Sequence, residues 1–329
     1  MRVLITGGAG YIGSTVASAC EDAGHDVVIL DDFSTGRREF VGKRPLYEGD
    51  IADDSLLDRL FGAQQIDAVV HCAAKIIVPE SVSEPLAYYE NNVAKTVTLL
   101  AALQRNGVER FLFSSSASIY APDENFVVTE DSPLQPGSPY ARTKFMVELI
   151  LEDFTRASDV RVASLRYFNP IGTDPKLRSG QQLEKPSHVL AKLLEAWVNK
   201  ETFTVTGVDW PTRDGSGIRD FIHVWDLARA HVAALEHFDE ATATDPYQVF
   251  NIGTGNGVTV KELAASFEKI TGDPLKVRFG DPRPGDVAGV YTVSTKAKDV
   301  LGWEAELTET DAVRDAIAWL PVRKEKLGY

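Results

Sequence analysis

The chain has 329 residues, 44% hydrophobic and 25% charged, which suits a soluble folded body larger than one small core. With 34 Lys and Arg against 48 Asp and Glu, its formal net charge of −14 argues against nucleic acid and anionic membranes as partners. Its two cysteines, Cys20 and Cys72, show neither metal-ligand nor redox spacing and suit a reducing cytoplasm as buried thiols.

The chain enters a strand at once, with no basic and apolar leader, and no apolar run approaches the length of a membrane span. A soluble, cytoplasmic protein is therefore expected. Val3-Leu4-Ile5 is an apolar run bounded by glycines, as a buried parallel strand is. The pattern then predicts a helix over 11–23, stopped by Gly24. Strands are predicted at 27–30, 45–48, 68–71, 111–113 and 160–165, with helices at 55–61, 85–105 and 140–155. This alternation predicts an α/β fold: a doubly wound parallel sheet of the Rossmann type, covered on both faces.

After Asn169 the texture changes. Residues 170–186 are rich in Gly, Pro, Lys and Ser and read as a long functional loop. A helix at 187–199, a strand at 203–206, a turn-rich stretch at 209–217 and a strand–helix pair over 221–238 follow. Helices at 260–271 and 308–320 come next, and 323–326 reads as a solvated tail. The expected organisation is a dinucleotide-binding domain over 1–169, rejoined by about 220–240, and a smaller mixed α/β substrate lobe over 170–329.

Gly7-Gly8-Ala9-Gly10-Tyr11-Ile12-Gly13 follows a strand and opens a helix. Gly7 permits the tight turn, Gly10 lets the backbone approach a pyrophosphate, and Gly13 lets helix pack on strand. The phosphates would lie at the helix N-terminus, where free N–H groups and the dipole favour anions. Asp31 ends the second strand, where a carboxylate hydrogen-bonds the adenosine ribose and repels a 2′-phosphate; that favours NAD over NADP. Asp32, Phe33, Ser34, Thr35 and Gly36 follow it and are assigned to the same site. Asp50 and Ile51 can hold the adenine by hydrogen bond and apolar contact. Cys72, Ala73 and Ala74 allow close approach of the backbone. These residues end different strands, and in an open α/β sheet such ends share the ligand-binding edge.

Tyr140-Ala141-Arg142-Thr143-Lys144 places a Tyr and a Lys one helical turn apart on one face. The ammonium can favour the phenolate, which can take a proton from an alcohol beside a nicotinamide ring. Ser116, in Ser114-Ser115-Ser116, completes a catalytic set of Ser116, Tyr140 and Lys144. His71 and His223 read as core histidines. No His, Cys, Asp or Glu spacing suggests a metal.

With these motifs the chain resembles the extended short-chain dehydrogenase/reductase family, and within it the branch of UDP-hexose 4-epimerases. The resemblance covers nearly the whole length. It is carried also by Tyr88-Tyr89-Glu90-Asn91-Asn92-Val93, Leu165-Arg166-Tyr167-Phe168-Asn169-Pro170, the run from Asp209 to Val224, and Arg283-Pro284-Gly285-Asp286. The resemblance implies NAD-dependent inversion at C4 of UDP-glucose or UDP-galactose through a transient 4-keto sugar, with Tyr140 as base and acid. It implies that Asn91 and Phe168 contact NAD. Asn169, His188, Val189, Thr204, Val205, Thr206, Arg219, Arg283, Asp286 and Val290 would contact the UDP-sugar. A small residue at 290 leaves room for an N-acetyl group. Ala117-Ser118 after Ser116 argues against a 4,6-dehydratase. Enzymes of UDP-glucuronate and a non-catalytic NAD-sensing regulator stay as alternatives. The resemblance also suggests a homodimer, through the helices at 85–105 and 140–155.

Overall fold

The computed structural model describes residues 1–121, 123–184, 186, 188–282 and 287–329. Seven parallel strands form the main sheet. From one edge to the other they are Tyr247–Ile252, Arg161–Tyr167, Arg110–Ser114, Ala68–His71, Arg2–Thr6, Asp26–Asp31 and Leu46–Glu48. The chain starts in the middle, runs to one edge, and crosses back to Ala68–His71. The strand order therefore reverses between Arg2–Thr6 and Ala68–His71, and ligands bind where this happens in an open α/β sheet.

Alternation along each strand sorts the core onto two faces. Val3, Ile5, Val27 and Ile29 pack with Val16, Ala17 and Cys20 of helix Tyr11–Asp22 and with Leu227, Ala230 and Ala234 of helix Val224–Glu236. Leu4, Val28 and Leu30 face the other way. They meet Leu57, Leu99, Leu103, Val147 and Leu151 from three other helices. Both faces are thus covered, which is why these strands read as unbroken apolar runs.

A third core belongs to the smaller lobe. Leu190, Leu193 and Leu194 pack there against Phe203, Val205, Phe221, Phe267 and Val313. The lobe carries a three-stranded sheet (Gly257–Thr259, Ile218–His223, Asn169–Ile171) and the parallel pair Thr202–Thr206 and Lys276–Gly280, while Tyr291–Thr292 pairs with Val127–Val128 from the first part of the chain. The chain returns to the main sheet beyond position 240, since Tyr247–Ile252 pairs with Arg161–Tyr167.

Two departures from the sequence pattern bear on the site. The helix expected over 85–105 is interrupted: α-turns at Pro85–Tyr89 pass into a π-turn at Glu90–Ala94 before helix Lys95–Arg105. The wide turn buries Asn92, whose side chain accepts from the Lys75 N–H at 2.8 Å and donates to the Lys75 carbonyl at 2.9 Å. The last helix, Glu309–Leu327, continues through Pro321, so 323–326 is its final turn, with Lys324, Glu325 and Lys326 exposed to solvent as expected. Its basic side chains satisfy loop carbonyls: Arg323 donates to Leu183 at 2.6 Å and Lys326 to Arg178 at 2.9 Å.

Candidate active site

A cleft of about 1640 Å³ runs between the C-terminal edge of the main sheet and the smaller lobe. At one end is the glycine turn. Gly7 sits at φ +69°, and a Cβ there would come within 2.7 Å of the Ala73 nitrogen. A Cβ on Gly13 would come within 2.2 Å of the Gly7 carbonyl oxygen. Only glycine permits this approach of turn, strand end and helix. Helix Tyr11–Asp22 starts at Gly10 without a side-chain cap, so its first N–H groups face the cleft unclaimed by side chains. That donor set and cradle fit a dinucleotide pyrophosphate.

Asp31 is buried beside the turn. Its two oxygens accept from the Ala9 and Phe33 N–H groups, each at 2.8 Å. Burial pushes its carboxyl up, and these two bonds oppose the shift. Phe33, at φ 57°, turns its N–H back to Asp31. A Cβ on Gly36 would come within 2.6 Å of an Asp31 oxygen. Phe33 and Gly36 thus stand behind Asp31 and are absent from the cleft wall. Gly10, Tyr11, Ile12, Asp32, Ser34, Thr35, Asp50, Ile51, Cys72, Ala73, Ala74 and Asn91 all line it.

On the facing wall stand Ser116, Tyr140, Lys144 and Phe168. Ser138 caps helix Pro139–Ala157 through the Ala141 N–H, and Pro139 opens its first turn. Tyr140 and Lys144 are buried on its inner face. Burial raises the Tyr140 phenol, and the Ser116 hydroxyl opposes the rise by hydrogen bond. The Lys144 ammonium donates to the Ser114 carbonyl at 2.7 Å and lies 4.8 Å from the Phe113 ring centre. Burial brings its pKa down to about 8, against the pull of Cys72 and Glu148. Desolvation thus sets the direction of the phenol's shift, and the lowering expected from Lys144 does not contribute to it. Ser116 is held by Ser118, whose hydroxyl lies 2.9 Å from its own.

At the far end the wall comprises Asn169, His188, Val189, Thr204, Thr206, Arg219 and Val290. Arg219 donates from Nη1 to the Ile218 and Ala288 carbonyls, both at 2.7 Å. His188 begins helix Val189–Asn199, and burial lowers its imidazole pKa. Val205 does not join its neighbours. Strand Thr202–Thr206 alternates, and Val205 points into the lobe core, 1% exposed. Arg283 and Asp286 lie outside the described residues. His71 and His223 are buried with both ring nitrogens in polar contact. Among the described residues no group of three His, Cys, Asp or Glu side chains is placed to hold a metal, and no helix is long and apolar enough to cross a membrane.

The structure adds residues in and behind the cleft wall that sequence reasoning missed. Lys95 forms an ion pair with Asp50 at the cofactor end; inside a pattern read as continuous helix it gave no signal. Glu148 and Arg166 form a buried pair at 2.6 Å behind Lys144. Here there was a signal: Glu148 continues the stripe of Tyr140 and Lys144, and Arg166 is a charge in an apolar strand.

The fold and this cleft define a nicotinamide-dinucleotide enzyme of the Rossmann class. The sequence pattern of the NAD dependent epimerase/dehydratase family matches residues 3–253, and the chain belongs to that family. It is 41% identical to the UDP-glucose 4-epimerase of Azospirillum brasilense, over 99% of this chain and 94% of that one. It is also 41% identical to that of Bacillus subtilis, over 97% and 96%. Among solved structures, the UDP-glucose 4-epimerase from Stenotrophomonas maltophila, with bound NAD and formylated UDP-arabinopyranose, superposes with a TM-score of 0.94 at 35% identity, covering 99% of each chain. The UDP-Glc/GlcNAc 4-epimerase from Campylobacter jejuni gives 0.83 at 34% identity, covering 98% of this chain and 99% of that one.

Proposed function

We propose that the protein is an isomerase that inverts C4 of a UDP-hexose, interconverting UDP-glucose and UDP-galactose with tightly held NAD. The observation that supports this most is the meeting of Ser116, Tyr140 and Lys144 on one wall of a cleft that runs from the glycine turn to Arg219. A bound NAD would supply the hydride acceptor and donor for C4, and the positive charge of its ring would favour a Tyr140 phenolate. Tyr140 takes the proton of the sugar 4-hydroxyl and later gives it back on the other face. Ser116 orients that hydroxyl, and Lys144 holds positive charge behind the phenol. Gly7, Gly10, Gly13, Asp31 and Asp50 hold the cofactor. Arg219 faces the diphosphate, a forked donor for phosphate oxygens; Arg283 and Asp286 belong to the same proposed substrate set.

In this reading residues 1–169, rejoined by later segments, carry NAD, and 170–329 carry the UDP-sugar. The protein works in the cytoplasm; both its cysteines are free thiols. It acts as a homodimer. Leu86 is 81% exposed, and Val97, Met146 and Leu149 are 45%, 40% and 45% exposed on the adjoining helices. That apolar surface is suited to a second copy.

Val290 favours a second substrate. It packs with Phe168, Ala117 and Tyr120 and leaves the sugar end without a large side chain at 290, which suits UDP-N-acetylglucosamine. The test is to incubate purified protein with UDP-glucose, UDP-N-acetylglucosamine and UDP-glucuronate without added NAD, and analyse the sugars. C4 epimers of the first two are expected. No epimer from any UDP-sugar would overturn the proposal and favour a regulator. Tyr140→Phe should lower turnover by about 10²–10⁴-fold, the usual worth of a general acid–base group.

A further inference from the structure

We propose that Glu148 is a positioning residue: it fixes the register of the Ser114-Ser115-Ser116 strand end against the catalytic helix, so that Ser116 meets Tyr140. This rests on the catalytic reading given above and deepens it.

Tyr140, Lys144 and Glu148 follow one another at four-residue spacing on helix Pro139–Ala157, and all three are buried. Three consecutive serines each touch a different one of them. The Ser116 hydroxyl faces the Tyr140 phenol closely enough to oppose the rise of its pKa. The Ser114 carbonyl accepts from Lys144, and the Ser115 hydroxyl donates to Glu148. Of these three contacts, only the last ends on a carboxylate that is itself clamped. Arg166 grips Glu148 in a fork, with Nε donating to Oε1 at 3.0 Å and Nη2 to Oε2 at 2.6 Å. Arg166 also donates to the Tyr120 hydroxyl at 3.0 Å, which donates in turn to Asn251 at 2.6 Å. The main chain of Ser115 is tied to the same strand as Arg166, its N–H donating to the Leu165 carbonyl at 2.9 Å. Ser115 is therefore held at both its backbone and its side chain. A slip of Ser116 along the helix would break a charge-assisted bond inside the core.

Glu148 also acts on Lys144. That ammonium is faced by Tyr140 and Glu148 on its own helix, by Ser114 and the Phe113 ring, and by His71 and Cys72 at the end of the adjacent strand. Arg166 and Tyr167 lie on the strand beyond, and His231 touches Ser114 from helix Val224–Glu236. Arg166 is paired with Glu148, and burial keeps His71 and His231 neutral. Cys72 and then Glu148 oppose the desolvation of Lys144, and Glu148 is the carboxylate of the two. Without its charge Lys144 should lose its proton at lower pH.

The test uses NAD-loaded protein bearing Glu148→Gln, Glu148→Asp or Ser115→Ala. Glu148→Gln should lower kcat by about 10–100-fold, the cost of misplacing catalytic groups by roughly 1 Å. KM for UDP-glucose should stay within about twofold, because no substrate contact is lost. The alkaline limb of its kcat profile should move to lower pH. Amide exchange across 111–120 should quicken. Glu148→Asp keeps the charge but is too short for Ser115, so kcat should fall while the alkaline limb stays. Ser115→Ala should lower kcat without moving the limb. Wild-type kcat and alkaline limb in Glu148→Gln would overturn the proposal. If that variant does not fold, wild-type kcat in Ser115→Ala overturns it instead. Should the wild type epimerise no UDP-sugar, the catalytic reading fails by itself, and the exchange rates across 111–120 still decide the register.

Discussion

Acidification should destabilise this protein well before its surface carboxylates titrate, because two buried histidines are held neutral. His231 lies fully inside, with Nδ1 2.9 Å from the Leu227 carbonyl and Nε2 3.1 Å from the Ser114 hydroxyl. A carbonyl only accepts, so Nδ1 carries the proton and Nε2 accepts from Ser114. His71 is fixed by similar logic. Thr96 donates its hydroxyl hydrogen to Asn92, so it accepts from His71 Nε2, and Nδ1 accepts from Thr6. Burial brings the pKa of His71 down to about 3 and that of His231 to about 4, from 6.5. Each contributes stability that is complete above pH 6.5 and is lost as pH falls toward the folded value. At about pH 5 the unfolded chain is mostly protonated at both sites and the folded one is not, so each costs about 2 kcal/mol. Buried Asp220 opposes them. Its pKa is raised to about 6, so its protonation on acidification returns about 1 kcal/mol. Taken together, these three groups contribute a loss of about 3 kcal/mol between about pH 7.5 and pH 5. Urea unfolding at the two pH values measures it. In His231→Gln, which can keep both hydrogen bonds, the loss should shrink by about 2 kcal/mol. An equal loss in parent and variant would refute this account of the histidine core.

Three further outcomes follow from the cleft. Gly13→Ala puts a methyl within 2.2 Å of the Gly7 carbonyl, and should purify without NAD and melt several degrees lower, read by absorbance of released nucleotide and by calorimetry. Lys95→Ala removes the ion pair across Asp50 and should speed NAD dissociation, with less salt dependence than the parent; the release rate of bound NAD after dilution checks this. Val290→Tyr should leave turnover of UDP-glucose within about threefold and suppress that of UDP-N-acetylglucosamine by more than about tenfold, in a direct competition of the two sugars.

Much of the fold was legible in the residues. Val3-Leu4-Ile5, Val27 to Leu30 and Ala68 to His71 are runs buried on both sides, and such runs between helical stretches specify a covered parallel sheet. The glycine turn was legible because the backbone approach it makes excludes any side chain. Tyr140 and Lys144 were legible because helical spacing alone puts them on one face. Strand Tyr247–Ile252 was not, since half its residues are only partly buried and its partner lies some eighty positions earlier. The π-turn at Glu90–Ala94 was hidden for a related reason. Its wide turn is set by what Asn92 bonds across space, at Lys75 and Thr143.

What the sequence determined by itself is the class of chemistry. Short-range geometry, a turn and one helical face, brings the cofactor cradle and the Tyr–Lys pair into being wherever the elements lie. Tertiary structure alone decided the electrostatics. Lys144 donates a hydrogen bond to the Ser114 carbonyl, Glu148 is locked by Arg166, and the pKa of Tyr140 rises because of what surrounds it. Such shifts depend on desolvation and on partners far along the chain, and neither exists until the sheet and its helices have closed over them.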